Sequence, residues 1–144
     1  MNATDWTDMD SGHIKQAMME NAAEVTRLHL RIHETLRRRG EDEKEYAEWE
    51  NACAEFHQRY DELAFPGGYD GAAERILSGD SLAMEAAICF LECRPYFFRS
   101  GYMCKDLLRN AKRAPLTEEQ ASRLAVVVQS LVDWRAKKMA KNPT

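Results

Sequence analysis

A chain of 144 residues that is 44% hydrophobic and 31% charged, with a formal net charge of −4, has the size and composition of one globular domain burying about 68–70% of its unfolded surface. Only seven glycines and four prolines argue against a low-complexity or disordered chain. The longest uncharged stretch, Leu124 to Val132, falls far short of the roughly 20 residues that a bilayer requires. The first segment, 1–11, carries Asp5, Asp8 and Asp10 where a secretory signal needs positive and apolar residues, which points to a cytoplasmic protein.

The first periodic segment runs from Ile14 to Leu36 and sets Ile14, Met18, Val25, Leu28, Ile32 and Leu36 on one stripe, the pattern of a long amphipathic helix. Gly40 is the expected left-handed stop, with Arg37, Arg38 and Arg39 at the negative end of the helix dipole. A second helix opens within Glu41 to Glu45 and carries Tyr46, Trp49, Cys53, Phe56, Tyr60 and Leu63 at steps of three and four. The short link between them predicts an antiparallel helical hairpin.

Phe65-Pro66-Gly67-Gly68-Tyr69-Asp70-Gly71 is the clearest break in the chain, because Pro66 cannot continue a helix and the glycines permit reversal. Beyond it the sequence predicts shorter helices: one capped by Asp70 and ending at Leu77, and one from Leu82 to Glu92 started by Asp80 or Ser81. Another, capped by Ser100, runs to Lys112 and has Tyr102, Leu107, Leu108 and Ala111 available for burial. Thr117-Glu118-Glu119-Gln120 is a capping box that opens a last helix with Leu124, Val127, Val128, Leu131 and Trp134 on one face, fraying after Lys138. No five-residue stretch alternates apolar and polar residues, so the expectation is one all-α domain over 1–144. It has about six helices, a long antiparallel hairpin and then a compact bundle of shorter helices, which could stack as HEAT-like pairs; 1–11 and 141–144 are expected to be flexible ends.

The residues that carry chemistry form no recognised catalytic motif. His29 and His33 stand at i and i+4, but Leu30 occupies the place of the glutamate that a zinc-protease helix requires, and Glu-x-x-His is absent. Cys53, Cys89, Cys93 and Cys104 show no C-x-x-C spacing. Cys89 and Cys93, one turn apart, could share a metal or serve as small buried hydrophobes. There is no nucleophile elbow and no glycine-rich phosphate loop. The reading is a non-enzymatic chain with no catalytic residues, no metal and no cofactor.

Charge is divided unevenly along the chain. Met1–Cys93 holds 9 basic and 20 acidic residues, net −11, and Arg94–Thr144 holds 11 and 4, net +7. Lys105, Arg109 and Lys112 could form a stripe for nucleic acid, yet the basic residues gather where helix dipoles favour them and the acidic half would repel a phosphate backbone. Glu41, Glu45, Glu48, Asp61 and Glu62 form either a solvated face or one that steers a basic protein partner.

Helix rules account least for Arg94-Pro95-Tyr96-Phe97-Phe98-Arg99-Ser100-Gly101-Tyr102. Phe97 and Phe98 read as core anchors, and Tyr96, Arg99 and Tyr102 have the amphipathic chemistry of interface hot spots. The alternative is structural, with Arg94 and Arg99 capping carbonyls or pairing with Glu85 or Glu92 to fix the turn.

The segment Ile88-Cys89-Phe90-Leu91-Glu92-Cys93-Arg94 leading into this turn, the turn itself, and Leu107-Leu108-Arg109 with Lys112-Arg113 resemble part of a group of small helical bacterial proteins. Those proteins are similar to the immunity proteins that accompany bacterial toxins. The resemblance implies a protein-binding module whose partner is a toxin, a basic domain being one candidate, neutralised by covering its active surface; it carries over no known binding residue. The candidate binding residues are therefore the acidic five together with Tyr96, Arg99 and Tyr102. A small regulatory or nucleic-acid-associated protein is the second reading, and the sequence is compatible with a monomer or a homodimer.

Overall fold

A computed structural model describes residues 10–141. Six helices follow in order: α1 (Ser11–Leu36), α2 (Glu43–Ala64), α3 (Ala72–Leu77), α4 (Ser81–Cys93), α5 (Ser100–Ala111) and α6 (Glu118–Lys141). Among the described residues there is no strand, and the protein is all-α as expected. No described helix is long and apolar enough to cross a membrane.

α1 and α2 form the hairpin, and its register is written in cross-helix ion pairs. Arg38 meets Glu45, Arg31 meets Glu55 and Arg59 meets Glu24, so that residue numbers rise on one arm as they fall on the other. The turn between them spans more residues than the expected link. α1 stops at Leu36, Arg37 is its C-cap in right-handed geometry, and Gly40 is not among the left-handed residues, which corrects the expected stop. Asp42 then caps α2, its carboxylate accepting the Glu45 N–H at 2.8 Å.

α4 is the hub. Ala83, Met84 and every residue from Ala86 to Leu91 are buried, so this helix is apolar over most of its circumference, as a helix packed among others must be, with Glu85 and Glu92 its only acidic residues. α1, α3, α5 and α6 all pack against it, and the second half is therefore arranged around one helix. Phe65, Phe90, Ile14, Leu28, Ile88, Leu91 and Leu107 are the large side chains of the single core, each worth about 1.5–3 kcal/mol of burial.

The loop from α2 to α3 is tied by two side chains. Asp61 Oδ1 accepts the Asp70 N–H at 2.8 Å, and the Arg75 guanidinium donates to the Pro66, Gly68 and Asp70 carbonyls. Gly68 is required here: its φ is +91°, and a Cβ would lie 2.5 Å from Asp61 Oδ2. Because Asp70 is held in this way, α3 begins instead after left-handed Gly71 without a side-chain cap.

Other local expectations hold or shift by a residue. Asp80 caps α4 through the Ala83 N–H at 2.9 Å. The capping box closes reciprocally, Gln120 N–H to Thr117 Oγ1 and Thr117 N–H to Gln120 Oε1, both at 3.1 Å. Ser100 does not cap α5. It is the first helical residue, buried, and its hydroxyl accepts the Phe97 N–H at 3.1 Å; Arg99 is the cap residue. Leu36, Tyr46 and Trp134 lie on the expected stripes but are exposed, because those helix ends extend past what the chain can cover, and Tyr102 is exposed although Ser100 and Met103 beside it are buried. α6 continues to Lys141 without fraying at Lys138. Of the ends expected to be flexible, 1–9 and 142–144 lie outside the described residues. Asp10 caps α1, and Ser11 Oγ donates to Glu85.

Candidate protein-binding surface

The turn between α4 and α5 is built on two left-handed arginines, Arg94 at φ 46° and Arg99 at φ 68°. A non-glycine residue at such a φ costs on the order of 1–2 kcal/mol, and here two of them bracket four residues. The intervening chain is anchored from within. Pro95 and Phe97 are buried, and the Phe97 ring meets Phe90 and Tyr60 edge to face.

Phe98 is the anchor on the other side, and it reaches the hairpin. Its ring lies 4.5 Å from His29 and 5.9 Å from Phe56, and its carbonyl accepts a 2.7 Å hydrogen bond from the Tyr60 hydroxyl. Phe98 is nevertheless partly exposed, so it is half anchor and half surface, whereas Phe97 is a core residue as expected. With both anchors set, Tyr96 is 89% exposed and Tyr102 69% exposed, and the Arg99 guanidinium stands 5.3 Å over the Phe98 ring.

His29 and His33 belong to the edge of this cluster. Their rings sit edge to face 4.7 Å apart, and burial, with His33 second, holds the His29 imidazole below the usual histidine range. Among the described residues no three histidine, cysteine or acidic side chains gather to hold a metal.

The five acidic candidates do not form one patch. Glu45 faces Arg38 at 3.4 Å, and Asp61 is engaged with the α2–α3 loop. Glu41 is exposed in the hairpin turn, Glu48 is half-buried and Glu62 is exposed. Along α2 the step from Glu48 to Tyr60 is about 18 Å, so Glu41, Glu45 and Glu48 lie at the far end of the hairpin from the aromatic turn. Asp61 and Glu62 are close in sequence to Tyr60, and burial raises the Tyr60 hydroxyl pKa while Arg99 lowers it and Asp61 raises it. Arg99 and Asp61 therefore both act on the Tyr60 hydroxyl from opposite sides of charge. The proposed basic stripe on α5 is reduced by one member, since Arg109 pairs with Asp106 at 2.5 Å.

A polar network that sequence reading missed lies on the opposite side of α4. Arg123 of α6 bonds Glu85 at 2.8 Å and Glu92 at 2.7 Å, Lys15 of α1 meets Glu92 at 2.9 Å, and Gln120 donates to Glu85 at 3.0 Å. Glu85 and Glu92 are thus not partners of Arg94 or Arg99, which corrects that expectation. Burial opposes ionisation of Glu85, but hydrogen bonds from Ser11, Gln120 and Arg123 outweigh it and hold the carboxyl at about 2. Cys89 is enclosed by the same network and burial pushes its thiol up to about 11, so it is a protonated, unreactive group. All four cysteines are free thiols, with Cys93 half-buried against the core. The only sequence cue to the network was the presence of acidic residues inside the apolar run of α4.

Comparison of the chain with protein-family models, with curated proteins and with solved structures gave no match.

Proposed function

We propose that this chain is a cytoplasmic, non-enzymatic protein-binding module, and that its partner is a bacterial toxin whose active surface it occludes. The observation that carries the reading is the anchored turn: Tyr96, on the segment between left-handed Arg94 and Arg99, and Tyr102, in the first turn of α5, stand in solvent on either side of Arg99. Tyrosine and arginine are the residue types that dominate interface energetics, and a rigid presentation reduces the ordering cost of binding. A turn that served only to reverse the chain would not need its largest aromatic side chains in water. The free carboxylates of Glu41, Glu48 and Glu62 add a field that favours a basic partner.

The test is affinity purification from the source cell of the tagged protein beside a Tyr96→Ala/Tyr102→Ala variant. The expected result is one partner at near-equal amount with the parent chain and its loss with the variant, and relief of that partner's toxicity when the two are co-expressed. Equal recovery by both chains, or a partner that is harmless when expressed alone, overturns the proposal.

A further inference from the structure

α6 carries two neighbouring stripes, each repeating at steps of four and three. Gln120, Leu124, Val127 and Leu131 meet the body, the first three buried, and Trp134 and Lys138 continue the same stripe into solvent. Ala121, Ala125, Val128, Val132, Arg135 and Met139 form the second, about 100° around the helix. The body covers this second stripe only at Val128, which packs partly against the core. Val132 is 51% exposed and Met139 75% exposed, and Ala121 and Ala125 are exposed as well. At its N-terminal half the stripe floors a mostly apolar groove of about 530 Å³, whose other wall is Ala111, Ala114, Pro115 and Leu116, with Lys112 and Gln129 as its polar lining.

We infer that the second stripe is the seam of an antiparallel α6–α6 pair, and that the occupant of the groove is a second copy of this chain. Three features select that occupant. The four-three spacing is that of a helix seam over nearly the whole of α6. Side-chain size is graded along it: small Ala121 and Ala125 lie in the groove, and long Arg135 and Met139 stand free at the other end. Antiparallel pairing centred on Ser130 sets Met139 of one copy against Ala121 of the other, Arg135 against Ala125 and Val132 against Val128. Each contact then occurs twice about a twofold axis.

The third feature is charge. α6 opens on Glu118 and Glu119 and closes on Lys138 and Lys141, so the antiparallel arrangement brings acid to base at both ends, and a parallel one would stack like charges. The stripe is about 27 Å long, which makes an interface at the small end of the stable range.

Sedimentation velocity of the full chain from about 1 to 200 μM tests this. The expected result is a concentration-dependent shift from 16.6 kDa to twice that mass. Val132→Glu/Met139→Glu is expected to weaken association at least tenfold. Val126→Glu, on the far side of the helix at a site 67% exposed, leaves it unchanged. Orientation is read by oxidative cross-linking above the level of the parent chain: Ala121→Cys with Met139→Cys forms a linked dimer, and Ala121→Cys alone does not. A monomer throughout the range, a dimer indifferent to Val132→Glu/Met139→Glu, or a cross-link from Ala121→Cys alone overturns the inference.

Discussion

The guanidinium of Arg123 on α6 bonds the Glu92 carboxylate on α4 at 2.7 Å, and the same group bonds Glu85 two turns earlier at 2.8 Å. Lys15 joins from α1, so three helices share one charged knot with the Arg123 side chain 19% exposed. Removing the shared cation leaves two half-buried carboxylates without their main partner, and such a loss costs more than the pairs contribute. Arg123→Met is therefore expected to lower unfolding free energy by about 2–4 kcal/mol. Chemical denaturation checks it, and a loss within about 0.5 kcal/mol would mean that water replaces the arginine without penalty.

The same knot sets a pH dependence. Glu85 titrates at about 2 in the folded chain and near 4.5 when unfolded, so its contribution is complete above the unfolded value and is lost as pH falls toward the folded one. Glu24, held at about 2 by Arg27 against the cost of burial and then by Arg59, acts in the same direction. Melting temperature is expected to fall steadily from about pH 5 to pH 2. Glu85→Gln should start lower at pH 7 and lose less across that window, by up to about 3 kcal/mol. Parallel curves for the two chains would show that Glu85 is not a source of the acid sensitivity.

Much of the fold was legible because its punctuation is local. Pro66, Pro95 and Pro115 stop helices by covalent geometry, and Thr117 with Gln120 closes a box that needs nothing outside four residues. What the sequence hid was set by contacts far along the chain. Glu85 and Glu92 have Arg94 and Arg99 nearby in sequence, yet their partner lies on α6, which could be known only once α6 was seen to cross α4. Asp61 read as a surface carboxylate, and its backbone role depends on the path that Gly68 allows the following loop. Tyr96, Arg99 and Tyr102 could be selected by residue type, but their exposure follows from where Phe97 and Phe98 happen to anchor.

The anchor at Phe98 can be tested through its histidine neighbour. Phe98→Ala removes the ring that covers His29 at 4.5 Å and is expected to cost about 1–2 kcal/mol, below the 3–5 of a fully buried phenylalanine. Burial is what depresses the His29 pKa, so the variant should raise it toward the ordinary value; in the parent chain the neutral imidazole favours folding above that ordinary value, and this is lost as pH falls. A proton NMR titration of the His29 ring reads the shift directly. An unchanged midpoint would assign the depression to the hairpin alone.

The left-handed arginines separate strain from binding. At Arg94, with φ 46°, glycine relieves the Cβ conflict while adding freedom to the unfolded chain, and these effects oppose each other. Arg94→Gly is expected to stay within about 1 kcal/mol of the parent, whereas Arg94→Val, β-branched and intolerant of that φ, should lose more than about 1 kcal/mol. Tyr96→Ala and Tyr102→Ala alter side chains that are mostly in water and should each move stability by less than about 0.5 kcal/mol. The two sets of variants therefore dissociate: the turn can be destabilised with its aromatics in place, or stripped of them with its backbone intact. If partner capture follows Arg94→Val and ignores Tyr96→Ala/Tyr102→Ala, the turn acts by holding α4 and α5 together, and the contact surface lies elsewhere.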